Sequence, residues 1–143
     1  MNTQEALLQV FYNNFTAYYR SHVAHVNIMG RNFASDHALL GGIYEELQGQ
    51  IDTIAELLRT LGEFMPSEVQ FVLNESAIPT TMFEGDSLEL LDGVKVDLEM
   101  LKSFYEELMV TAEAEGRDEI ANYAQDRILA LAKHIWMLES TLD

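Results

Sequence analysis

Gly62-Glu-Phe-Met-Pro66-Ser-Glu-Val69-Gln-Phe71-Val-Leu73-Asn-Glu-Ser-Ala-Ile-Pro79-Thr-Thr-Met-Phe-Glu-Gly85 is the stretch on which the fold turns. It is far longer than a turn between packed helices needs. It holds both prolines of the chain, and its apolar centre, Val69 to Leu73, suits a short helix. On either side lie two segments with helical periodicity. Before it, Leu8, Phe11, Phe15, Tyr18, His22, His25 and Met29 alternate spacings of three and four, and Leu40, Ile43, Leu47, Ile51, Ile54, Leu58 and Leu61 repeat the pattern. After it come Leu91, Val94, Leu98, Leu101, Tyr105, Leu108 and Ala112, then Ala121, Ala124, Ile128, Leu131, Ile135, Leu138 and Leu142. Each is one apolar stripe on a polar helix, and no alternating run bounded by turn residues reads as a strand.

Punctuation agrees with this division. Gly30, Gly62 and Gly116 follow the first three segments where a left-handed helix end is expected. Asp86 with Glu89 three residues on resembles a capping box opening the third. The connections within each pair are short, so each pair is expected to form an antiparallel hairpin. Two helical hairpins joined by one long crossover define an all-α, ferritin-like four-helix bundle, with the short helix lying between helices two and three. Residues 1–143 are expected to form a single domain.

Composition narrows the chemistry. The chain has no cysteine, which excludes disulfides, zinc ribbons and thiol catalysis and leaves imidazole and carboxylate as metal ligands. It carries 24 acidic residues against 8 basic, a formal net charge of −16. Such a surface repels nucleic acid and anionic membranes and attracts cations. No apolar run approaches a membrane span and no basic region precedes an apolar stretch at the N-terminus, so no membrane partner is expected and a cytoplasmic location is the default.

Three of the four histidines, His22, His25 and His37, fall within sixteen positions, and Asp52 and Glu56 stand one helical turn apart. Taken singly, His22 and His25 read as core histidines on an apolar stripe, and the two carboxylates as a solvated acidic face. His37 and Asp52, fifteen residues apart on one helix, are separated by roughly 22 Å. One metal ion cannot touch both, so a centre using all these residues must be built by two copies of the chain. The Glu-x-x-His pair of ordinary ferritin-type di-iron sites, the zincin His-Glu-x-x-His and a glycine-rich nucleotide loop are all absent.

The chain resembles the Dps family, the twelve-subunit mini-ferritins, from about Leu7 to Leu142. The resemblance rests on His25-Val26-Asn27, Gly30-Arg31-Asn32-Phe33-x-x-x-His37, Asp52-x-x-Ala55-Glu56 and Lys133-His134-Ile135-Trp136-Met137-Leu138-Glu139. It implies that His25 and His37 come from one subunit and Asp52 and Glu56 from its twofold mate. It implies a ferroxidase that oxidises Fe(II) to Fe(III), with hydrogen peroxide as favoured oxidant and no organic cofactor. Ferric mineral is then stored inside a homododecameric cage, which protects against oxidative damage. The threefold pores are expected near the start of helix four, with Asp118 the first candidate and Glu113, Glu115 and Glu119 behind it.

Two departures from the family pattern stand out. Val26 occupies the place where the family usually has Trp, a residue thought to handle electrons or radicals, and Tyr18, Tyr19 and Tyr44 are the candidates to replace it. Gly41 stands where the family commonly has Asp, one turn after the second histidine, which leaves the second metal position short of a carboxylate. Gly41→Asp is therefore expected to strengthen that position. His22, where the family often has a basic residue, is an auxiliary candidate. Competing readings are a cage that has lost catalysis and only sequesters metal, and a structural DNA-binding protein. The absence of a Lys/Arg-rich tail speaks against the latter.

Overall fold

A computed structural model describes residues 1–81, 83 and 85–143. The helices are α1 (Thr3–Asn27), α2 (Phe33–Thr60), α3 (Val69–Glu75), α4 (Ser87–Ala114) and α5 (Asp118–Leu142), with no strand among the described residues. Met82 and Glu84, within the crossover read from the sequence, lie outside the described residues.

The expected boundaries have physical causes. Gly30, Gly62, Gly85 and Gly116 all adopt positive φ, the region where a Cβ is penalised. The Asp86 side chain accepts from the Glu89 backbone N–H at 3.0 Å, capping α4. α1 pairs with α2 and α4 with α5, while α1 and α4 join the hairpins and α3 lies against α1. One core cluster contains residues of all five helices, from Leu7 on α1 to Leu138 on α5.

Three stripes fall on the core as read; that of α1 does not. The fully enclosed line is Leu7, Val10, Asn14, Ala17, Ser21, Ala24 and Ile28, one position back from the expected one and so about 100° round the helix. Of the expected line only Phe11 is buried, the residues from Phe15 to His25 are half-buried, and Met29 is exposed. Small residues on the true seam let α1 approach its neighbours closely. Asn14 is enclosed because its Nδ2 donates to the Leu47 carbonyl at 2.9 Å.

The crossover is fastened to α1 at two points. Asn13 Oδ1 accepts from the backbone N–H groups of Ala77 and Ile78, each at 2.9 Å. Arg20 donates to Asp97 of α4 at 2.7 Å and to the Thr81 carbonyl, and lies 3.9 Å over the Phe83 ring. α2 and α5 are not in close backbone contact. The space between them is spanned by long polar side chains, chiefly Glu46 to Arg127.

Candidate metal centre

The centre starts from the end of α1. A helix leaves its last carbonyls without partners, and α1 ends at Asn27, so the His25 carbonyl is one of them. His37, in the second turn of α2, supplies the donor: its Nδ1 lies 2.7 Å from that oxygen. His25 Nδ1 lies 2.6 Å from the His37 carbonyl in return. A carbonyl only accepts, so each bond places the proton on Nδ1 and leaves the Nε2 lone pair free, the form in which imidazole binds a metal.

The two rings are centred 3.7 Å apart and within 16° of parallel. Imidazole lone pairs lie in the ring plane, so two stacked rings do not converge on one ion at a bond length of about 2.0–2.1 Å. The stacked pair therefore leaves two separate Nε2 donors rather than one shared point. Phe33 covers the outer side of His37, its ring centred 4.9 Å away.

Gly41 is buried beneath His25. A Cβ there would lie 3.0 Å from His25 Cε1 and 3.2 Å from Nδ1. This alters the expectation for Gly41→Asp: the glycine is the seat on which the imidazole rests, so any side chain pushes on a ligand before it can add one. Gly41→Ala isolates that effect. It should preserve the helix, which alanine favours over glycine, while weakening metal binding by about 10-fold to 100-fold, the usual cost of disturbing a group that orients a ligand. Titration with Co(II) checks this, and unchanged affinity would show that the seat does not matter.

His22 does not join the pair. Its ring lies flat on Tyr44, centred 4.0 Å away and within 5° of parallel, and Tyr44 in turn lies 5.0 Å from His25. Val26 is 61% exposed.

Asp52 and Glu56 stand exposed on α2, which runs unbroken from Phe33 to Thr60. Along the axis Asp52 remains roughly 22 Å, and Glu56 roughly 28 Å, from His37. Hydrogen bonding to Asp52 and repulsion from its charge raise the Glu56 carboxyl above its ordinary value. Two carboxylates side by side disfavour each other's charged form. Among the described residues of one chain, no three histidine or carboxylate side chains gather around a single point.

Glu113 at the end of α4, and Asp118 and Glu119 at the start of α5, are exposed. Glu115 differs from its neighbours: its carboxylate accepts from the Thr3 backbone N–H and hydroxyl, which lower its pKa. It is committed to its own N-terminus.

Sequence reasoning missed the charged group inside the bundle. Arg127 donates to both oxygens of Glu46 at 2.5 and 2.7 Å, and His134 Nε2 lies 3.1 Å from the same carboxylate. Burial alone would raise Glu46, but hydrogen bonds from His134 and Arg127, with their charges, hold it down at about 2. The signal available was Arg127 standing three residues after Ala124 and four before Leu131, on the core line of α5.

The chain matches the ferritin-like domain over residues 4–143. It is 32% identical to a DNA protection during starvation protein of Brevibacillus brevis, covering 88% of this chain and 85% of that one. A protein of the same name from Helicobacter pylori is 29% identical, with 99% of each covered. Among solved structures, a Dps protein of Vibrio cholerae superposes with a TM-score of 0.92 at 25% identity, over 99% of this chain and 89% of that one; it is described as a member of the ferritin-like diiron-carboxylate superfamily. The chain belongs to the ferritin-like family, in its Dps branch.

Proposed function

We propose that this Dps-family chain oxidises Fe(II), with hydrogen peroxide as favoured oxidant, at a centre shared by two subunits, and stores the ferric product inside a dodecameric shell in the cytoplasm. The observation that carries the reading is the reciprocal pair of Nδ1 to carbonyl bonds between His25 and His37. It presents two Nε2 donors at one end of α2, while Asp52 and Glu56 wait unneutralised toward the other. A twofold mate running antiparallel would bring the two halves together. Nitrogen and oxygen donors without thiolate suit an ion that cycles between Fe(II) and Fe(III).

His25, Asp52 and Glu56 would hold the tighter iron and His37 the weaker. Asp118, with Glu113 and Glu119, would line the acidic entry on the threefold axes. The test is a time course of Fe(II) oxidation, first with oxygen and then with peroxide, alongside light scattering. Rapid peroxide-dependent oxidation by a particle of about twelve chains is expected. A stable monomer or dimer at micromolar concentration would count against the shell, and iron bound without oxidation would favour a sequestering cage.

Duplex DNA is not expected as cargo. Its binding depends on Lys/Arg contacts that release counterions, and each chain brings 24 acids against 8 bases. Plasmid should migrate unretarded past low-micromolar protein in chelator; retention there would overturn this point.

A further inference from the structure

Polar atoms inside a folded protein are hydrogen-bonded in the great majority of cases, to protein or to ordered water. Among the described residues, three enclosed side-chain atoms have no protein partner: Asn14 Oδ1, Tyr105 Oη and Arg127 Nε. They come from α1, α4 and α5, yet they lie in one layer of the bundle. Asn14 is bonded to the Leu47 carbonyl of α2, and the adjacent Glu46 takes Arg127. The Arg127 guanidinium carbon stands 5.8 Å over the Tyr105 ring. α1 and α4 run antiparallel, with Thr3 beside Glu115 and Arg20 beside Asp97, which sets Asn14 within a helical turn of Tyr105.

The chemistry of the three atoms selects what can bind them. Asn14 Oδ1 only accepts, since Nδ2 is the donor to Leu47. Arg127 Nε–H only donates, and the other two guanidinium nitrogens are spent on Glu46. Tyr105 can do either, because burial raises its pKa and the phenol keeps its proton. Arg127 and Tyr123 approach that phenol without making a well-formed hydrogen bond to it, and Tyr123 Oη donates instead to Gln50 Oε1 at 2.8 Å. The guanidinium repels a cation, and an anion would find its charge already matched by Glu46. A small neutral molecule that both donates and accepts suits all three atoms. Water is such a molecule, and roughly 2–4 polar partners suffice to hold it. α2 and α5 are not in close backbone contact, which leaves space at this level.

We infer that an ordered water molecule is a structural part of the bundle centre, accepting from Arg127 Nε–H, donating to Asn14 Oδ1 and bonded to Tyr105 Oη. It joins α1, α4 and α5 in the layer where Glu46 already ties α2 to α5, so the four long helices share one hydrogen-bonded network. It also supplies the partner that the buried guanidinium lacks, completing the ion pair. The site lies apart from the proposed metal centre, since Asn14 is roughly 16 Å from His25 along α1. It does not depend on the ferroxidase reading.

Two measurements on the assembled apo-protein test this. A high-resolution crystal structure of the wild type should show one density peak within hydrogen-bond distance of Arg127 Nε, Asn14 Oδ1 and Tyr105 Oη. Urea unfolding of Tyr105→Phe at fixed protein concentration discriminates by sign. If water bridges the phenol, phenylalanine deletes a hydrogen bond and leaves the water short of a partner, so the midpoint should fall. If the phenol is unsatisfied, phenylalanine relieves a buried hydroxyl and the midpoint should rise. A midpoint at or above wild type would overturn the inference. So would a layer without the peak, or a direct bond between any two of the three side chains.

Discussion

Chains carrying His25→Ala with His37→Ala should oxidise no Fe(II), nor should chains carrying Asp52→Ala with Glu56→Ala, but an equal mixture refolded together should regain activity. The reason is geometric. Each proposed site takes histidines from one copy and carboxylates from its mate, and a twofold interface contains two such sites. Pairing a histidine-deficient chain with a carboxylate-deficient one leaves one site with nothing and the other complete. Random pairing makes half the dimers mixed, so about a quarter of all sites should be restored. No arrangement within one chain can produce this recovery, because α2 is a continuous helix that keeps His37, and the His25 bonded to it, at least roughly 22 Å from Asp52 and Glu56. Recovery of Fe(II) oxidation in the mixture is the measurement, and a mixture as inactive as its parents would sink the shared site. Glu56→Ala alone should already abolish tight binding. It should leave the apo-protein at least as stable, since it also removes the repulsion that raises the Glu56 carboxyl beside Asp52.

The hairpins, the crossover and its short helix were legible in the sequence because glycines, an N-cap and long apolar stripes all pointed one way. The face of α1 was not. Phe15, Tyr18, His22 and His25 are bulkier than Asn14, Ala17, Ser21 and Ala24 one position behind them, so side-chain size selects the wrong line. The core of this bundle wanted small residues where α1 comes close, and the bulkier line remains half-buried in the chain alone. Periodicity adds together what a helix offers its own core and what it can offer a second copy. The candidate ligand residues could be singled out by their spacing, yet two features of their surroundings could not. That the two imidazoles are locked to each other's carbonyls depends on where α1 ends. That Gly41 is a seat depends on a ring belonging to another helix.

Arg127→Met should destabilise the bundle by about 3 kcal/mol, the low end of the 3–5 expected when one member of a buried pair is removed. Arg127 is 5% exposed at its side chain and Glu46 29%, so the orphaned carboxylate keeps some access to water, which places the cost low in that range. Adding Glu46→Leu should recover much of the loss, because an apolar pair of similar volume escapes the desolvation that the ion pair must offset. Urea unfolding of the apo-protein at fixed concentration, for both singles and the double, measures the coupling; simple additivity would show that the pair does not act as a unit. The same pair contributes to the acid dependence of stability. Glu46 is held at about 2 against an ordinary 4.5, so the folded state gives up its proton more readily than the unfolded chain does. That contribution is complete above pH 4.5 and is lost as pH falls through about 2. Glu46→Gln should therefore unfold with a shallower acid dependence across that window, and equal slopes for the two proteins would mean that other carboxylates govern the acid transition.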